Sequence, residues 1–223
     1  MPNHNTTFLF LRKHSILACL ILSLFCNCNS PIKTNTSNEE EHPVLQKEDE
    51  VFANVFKILD GTWKGEFLIM EDPNPVAKDQ VELTHLSIDQ VKAPHLKTIN
   101  KIKVEQVYTS ESPYFQRVTI KDYYPDSQKE DVSQGVNKIE NGQLWCIVNK
   151  PHEKVIHTGT TRGNNTIIWQ QQQNSPQRIE YFQETVDQTF YEIIGYGYYE
   201  GDDANLSPRL WFYGRYERQK DQE

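Results

Sequence analysis

The stretch LDGTWKGEF, Leu59 to Phe67, decides how the rest of the chain is read. Two periodicities meet in it. Before it, EVFANVFKILD places Val51, Phe52, Val55, Phe56 and Leu59 at helical spacing, which predicts a short amphipathic helix ended by Gly61. After it, apolar and polar residues alternate. Trp63, Phe67 and Ile69 fall on one face, and Thr62, Lys64, Glu66 and Leu68 on the other. A large apolar side chain at the start of a strand, directly after a helix, has a place to go if the strand belongs to a closed wall and the helix covers one end.

Outward from there the chain keeps a period of two. Strands are expected near 62–70, 81–91, 97–109, 114–124 and 132–140, then near 143–149, 154–162, 165–173, 178–185 and 189–200, with a closing strand near 209–218. Ten or eleven strands result, depending on whether 178–200 is one bent strand or two. The connections are short. Asn141-Gly142 is a strong local signal for a tight hairpin, and RGNN at 162–165 is another. A long run of consecutive hairpins closes on itself because closure removes exposed edges. The expected fold is therefore mainly β: an antiparallel up-and-down β-barrel of about ten strands, with a short N-terminal helix closing one end. Gly195 and Gly197 in IIGYGYY interrupt a strong strand and are expected at a bend of the wall.

The remaining organisation is at the N-terminus. Arg12-Lys13, an apolar run from Ile16 to Phe25 and then small or polar residues have the layout of a secretory signal, and the run is too short to span a bilayer. Residues 29–49 are polar with almost no aliphatic content and cannot bury enough surface to fold, so they are expected to form a flexible tether. Residues 50–219 then form the barrel domain. The 223-residue chain carries a net charge of −8, about −10 once Arg12 and Lys13 leave with the leader. That balance argues against nucleic acid as a partner. Of the four cysteines, Cys19, Cys26 and Cys28 sit in or beside the apolar run, and Cys146 alone lies in the barrel domain, so no disulfide framework exists.

Cysteines directly after the apolar run resemble the end of a bacterial lipoprotein signal. The resemblance implies cleavage within residues 1–28, lipidation at Cys28 (alternatively Cys26), and a place in the cell envelope, anchored to a membrane. Gly61-Thr62-Trp63 before a strand meander, with Arg215 (or Arg218) in the last strand, resembles the lipocalin and wider calycin group. That resemblance implies a floor built from Gly61, Trp63 and Arg215, with the arginine stacked on the indole. KVEQVYTSESPYFQRVTI, 103–120, is similar to the T-type phycobiliprotein lyases, on Val104-Glu105-Gln106, Pro113-Tyr114, Gln116 and Arg117; Phe115 replaces an arginine there. It implies an assembly factor of chromophore-lyase type as the alternative to a binding protein. An envelope structural protein without a ligand is the third reading.

No catalytic constellation is visible: no G-x-S-x-G, no H-E-x-x-H, no phosphate-binding glycine loop. No metal and no cofactor is expected. His85, His95, His152 and His157 are scattered, and the last two read as surface histidines at a hairpin. Cys146 in LWCIV reads as a buried small hydrophobe, or, if it faces the lumen, as a thiol available to a ligand. Trp145, Trp169, Tyr181, Tyr196, Tyr198 and Trp211 supply broad apolar faces and are the candidates for contact with a small apolar ligand. The expected function is thus a binding module rather than an enzyme. Intact mass of the membrane-extracted protein checks the leader: the expected mature chain begins at Cys28 and carries lipid, and a chain that retains residues 1–25, or begins beyond Cys28 without lipid, would refute it.

Overall fold

The computed structural model describes residues 41–220. The expected leader, Cys26, Cys28 and most of the expected tether lie outside the described residues. Ten strands form a closed antiparallel barrel: β1 Gly61–Glu71, β2 Lys97–Ser112, β3 Phe115–Tyr124, β4 Lys129–Glu140, β5 Gln143–Asn149, β6 Lys154–Arg162, β7 Thr166–Asn174, β8 Gln177–Val186, β9 Phe190–Tyr199 and β10 Leu210–Arg218. Each strand pairs with its chain neighbours, and β1 closes the wall by pairing with both β2 and β10. The segment 178–200 is two strands joined by a short turn. At the β4–β5 turn, Asn141 (φ 54) and Gly142 (φ 68) both take the left-handed conformation that a tight hairpin demands.

One expected strand is absent. Residues 81–91 form part of a strap, 72–96, which runs along the outside of the wall. The strap holds a helical turn, α1 (Ile88–Val91). Because β1 is already paired along both edges, no free edge remains for another strand between β1 and β2. The local signal was in the sequence: Ser87-x-x-Gln90 is a capping box, and the Ser87 backbone N–H donates to Gln90 Oε1 at 2.7 Å. Leu86 and Val91 of the strap are buried against Met70, Ile168, Tyr181, Ile194 and Trp211 on the outer face of the wall.

The segment before β1 is also more tightly wound than its pattern predicts. It forms two 3₁₀ turns, Lys47–Phe52 and Lys57–Leu59, separated at Asn54 (φ 66). Phe56 and Leu59 point into the barrel end, while Val51 is left 80% exposed. These turns plug the floor. Asp60 Oδ1 accepts hydrogen bonds from the Ser110 backbone, the Ser110 hydroxyl and Gln116 Nε2, at 2.7–2.9 Å. Gln116 also donates to the Phe56 carbonyl at 2.8 Å. The fully buried Asp49 accepts from the Gly142 backbone N–H at 2.7 Å and so ties the plug to the β4–β5 turn.

Trp63 is fully buried on this floor, and its indole N–H donates to the Leu59 carbonyl at 2.7 Å. The cation over its ring is Arg218, at 4.2 Å, which corrects the expectation for Arg215. Arg215 lies on the outer face instead, over the Phe190 ring at 4.2 Å and 3.3 Å from Glu192. The reason is parity: Arg218 pairs directly with Trp63 in the register and shares its face, whereas Arg215 pairs with Glu66, an odd number of positions along, on the opposite face. Gly61 (φ 111) brings the backbone past the Arg218 guanidinium, which a Cβ there would approach to 3.2 Å.

Trp63→Ala is expected to cost about 3–5 kcal/mol in urea denaturation, as for other large buried aromatics. Arg218→Ala is expected to cost about 1–2 kcal/mol, from the lost ring contact and carbonyl hydrogen bonds, and Arg215→Ala under about 0.5 kcal/mol. A larger loss at Arg215 than at Arg218 would reverse the assignment of the floor.

Candidate functional site

The floor layer is packed solid: Trp63, Ile139, Leu144, Val186, Tyr191 and Tyr216 are essentially inaccessible. Above it the lumen keeps a cavity of about 340 Å³. Its wall is largely apolar: Phe67 and Ile69 from β1, Ile102 and Val104 from β2, Trp169 from β7, Phe182 from β8 and Phe212 from β10. Gly195 makes this possible, since a Cβ at that inward position would stand 2.5 Å from the Phe182 ring. It therefore makes room for a ring in the lumen, where the sequence suggested a bend.

Polar groups reach the same space. His157 (β6) and Glu180 (β8) are 3.4 Å apart, an ion-pair distance whose geometry does not complete a hydrogen bond. Tyr199 (β9) donates to the other oxygen of Glu180 at 2.6 Å. Burial works against ionisation of Glu180, but the His157 imidazole and the Tyr199 hydroxyl outweigh it and hold the carboxyl below its ordinary range. Nearer the rim, burial raises the Asp122 carboxyl despite Lys150, and Asp131 across the strand pair adds to the rise.

Glu184 (β8) sits deeper, beside Trp169 and Tyr191. Burial pushes its carboxyl up to about 7, although the Trp169 indole and the Tyr191 hydroxyl beside it offset part of the rise. Cys146 faces the same cavity, from β5. Burial, and then the Glu184 charge, push its thiol well up, so it stays a neutral thiol.

Of the six aromatic candidates only Trp169 lines the cavity. The other five are outside the wall. Tyr181, Tyr196 and Trp211 pack beneath the strap, with Tyr181 and Tyr196 stacked at 5.3 Å. Tyr181 donates to the Thr84 carbonyl at 2.9 Å, Tyr198 to that of Leu206 at 2.8 Å, and Trp211 to that of Pro208 at 2.9 Å. Trp145 joins Phe115, Val136 and Ile147 in a separate outer cluster. These rings hold loops to the barrel. His157, expected on the surface, faces the lumen. Glu180, Glu184 and Phe182 were missed. Their signal was the alternation of R-I-E-Y-F-Q-E-T, which puts both acids on the face opposite Tyr181.

Among the described residues no group of three or more His, Cys, Asp or Glu side chains is arranged to hold a metal ion. No helix among them is long and apolar enough to cross a membrane.

No family model matches the chain, and no curated protein matches it. Among solved structures, Rv2717c from M. tuberculosis is similar at 12% identity and a TM-score of 0.48, over 79% of this chain and 99% of that one. The engineered barrel EF1p2_mFAP2b, solved bound to DFHBI, aligns at 12% identity and a TM-score of 0.36, over 75% of this chain and 99% of its own. A redesigned β-barrel, mFAP1, also bound to DFHBI, aligns at 11% identity and a TM-score of 0.34, over 74% and 100%. These likenesses concern the barrel and not what it holds.

The raised Glu184 carboxyl has a consequence for stability. Its folded-state value, about 7, lies above the ordinary 4.5, so between these values the folded chain holds a proton that the unfolded chain has released. Its contribution is therefore full below about pH 4.5 and is lost as pH rises through about 7. Between pH 5 and pH 8, Glu184→Gln is expected to remove a loss on the order of 1–3 kcal/mol that the parent chain shows. Urea denaturation of both chains at the two pH values measures it; parallel pH profiles would show that Glu184 is not buried as described.

Proposed function

We propose that the protein is an exported, lipid-anchored envelope protein whose barrel holds a small, largely apolar molecule in its lumen. The observation that carries the reading is the cavity of about 340 Å³, walled by rings and aliphatic side chains and met by a few convergent polar groups. Ligand sites have this make-up, and a volume of about 300–1,000 Å³ is usual for them. The plugged floor supports it, since a ligand then enters from one end and is covered on its sides. Kinship with the calycin group is proposed on the same grounds: Gly61-Thr62-Trp63 opens β1, and an arginine of β10 lies over the indole.

Export and anchoring rest on the sequence. Arg12-Lys13, the apolar run, and Cys28 or Cys26 supply an address, and residues 29–49 a tether that would let the barrel stand off the membrane. The lyase-type reading is weaker. Cys146 faces the cavity, but a covalent role needs a thiolate, and burial and the Glu184 charge both oppose one there. A holding role needs no nucleophile and no base.

The test is titration of the full chain with a hydrophobic fluorescent dye, read by dye emission and tryptophan quenching. Saturable binding at one site is expected. Trp169→Ala is expected to weaken it about tenfold or more, whereas Tyr196→Ala, on the outer face, should change it less than about threefold. Absence of saturable binding, or equal effects of the two substitutions, would remove the lumen as the site.

A further inference from the structure

We infer that the lumen takes its apolar ligand by an amine head seated against the Glu184 carboxylate. The inference rests on the pocket reading above and adds the chemistry of the headgroup. Glu184 stands in the lower part of the cavity, and each element that brings a group toward it brings a neutral one. Trp169 comes from β7, Tyr191 from β9, Tyr216 from β10, Tyr108 from β2 and Cys146 from β5. Burial keeps the three phenols and the thiol protonated. No cationic side chain is among the groups acting on the Glu184 carboxyl.

The other titratable groups of the cavity already stand beside a partner. His157 stands 3.4 Å from Glu180. Lys150, half-exposed at the rim, is 3.7 Å from Glu153 and pulls on Asp122. Three carboxyls, of Asp122, Glu180 and Glu184, thus line the cavity against one lysine and one histidine, and Glu184 is the one without a counter-charge. A carboxylate held in apolar surroundings either keeps its proton or acquires a cation. An ammonium on an apolar body provides that cation and three donors.

Two unpartnered polar atoms also lie in the floor beneath the lumen. The Tyr191 hydroxyl and Asn137 Oδ1 are buried on the same floor without a hydrogen-bond partner. Asn137 lies directly across from Cys146 in the β4–β5 register, on the lumen side. A carboxylate head would fare worse at this depth. It would meet Glu184 with no arginine in the cavity lining to receive it.

Three probes with one body and different heads test this on the full chain: decylamine, 1-decanol and decanoate, each titrated against tryptophan fluorescence at pH 8. Decylamine is expected to bind about tenfold tighter than 1-decanol, with decanoate weakest, the scale of a hydrogen-bonded charge contact. Glu184→Gln is expected to abolish the amine preference and leave 1-decanol within about threefold, which also shows that the variant is folded. In the parent chain, lowering the pH from 8 to 5 protonates Glu184 and is expected to weaken decylamine about tenfold while 1-decanol is unchanged; this series carries the test if the variant does not fold. Equal binding of the three heads, tighter binding of 1-decanol or decanoate, or an amine preference that survives Glu184→Gln or the pH change would overturn the headgroup and leave the pocket standing. Binding of none of the three would overturn the pocket itself.

Discussion

The Arg218 guanidinium lies 4.2 Å above the Trp63 ring, and the two side chains between them fasten the plug to the wall. Arg218 donates to the carbonyls of Ile58 and Asp60, and Trp63 to that of Leu59. These three acceptors are carbonyls of the last 3₁₀ turn or its end, where helical carbonyls lack intrahelical donors, and Arg218 Nε donates besides to the Gln188 carbonyl at 3.2 Å. One stacked pair therefore satisfies the end of the plug, places it under the lumen and pins the first strand to the last.

A closed floor gives the lumen a vertical order. Solid aromatic and aliphatic packing at the bottom passes into a layer that holds Glu184 and Cys146, then into the His157–Glu180–Tyr199 group, then into Asp122 and Lys150 at the rim. Each layer is assembled from strands that are distant in sequence. His157 and Glu180 meet because β6 and β8 both project inward on either side of β7. Low dielectric raises the stakes of every such meeting, since a partnered charge is stabilised there and an unpartnered one is costly. Glu180 has its partners and is held ionised; Glu184 has only neutral ones and is pushed toward its protonated form.

The outer wall has an equal part in the structure. The strap 72–96 lies over the outer faces of β7 to β10 and turns Tyr181, Ile194, Tyr196 and Trp211 into a second core. Arg162 and Gln183 reach from the wall to the carbonyls of Thr84 and Leu86, at 2.8 and 3.0 Å, and hold the strap's backbone where it crosses. A barrel with one dry and one wet face alternates cleanly. This one is dry on both faces along much of β9, and for that reason its aromatic residues divide between two different tasks.

Alternation and turn chemistry determined the class of fold from the sequence alone. Period two from Thr62 onward, Asn141-Gly142, and the pairing of a G-x-W with a late arginine were enough for a closed meander of about ten strands over a plugged floor. The expected leader and tether rest on composition alone. The strap was misread as a strand because its apolar residues serve the outside of a wall that is invisible until β1 is seen to pair on both edges. Arg215 was chosen over Arg218, and five of six aromatics were assigned to the ligand, for a related reason. Alternation says which residues share a face but not which face is inside. In β9, where Tyr191 and Ile193 face in while Ile194, Tyr196 and Tyr198 face out, both faces are apolar and the pattern cannot choose. Only closure, by fixing the register of every strand to its neighbours, made that choice, and with it decided that Trp169, Glu180 and Glu184 meet in the lumen while Trp145, Tyr196 and Trp211 do not.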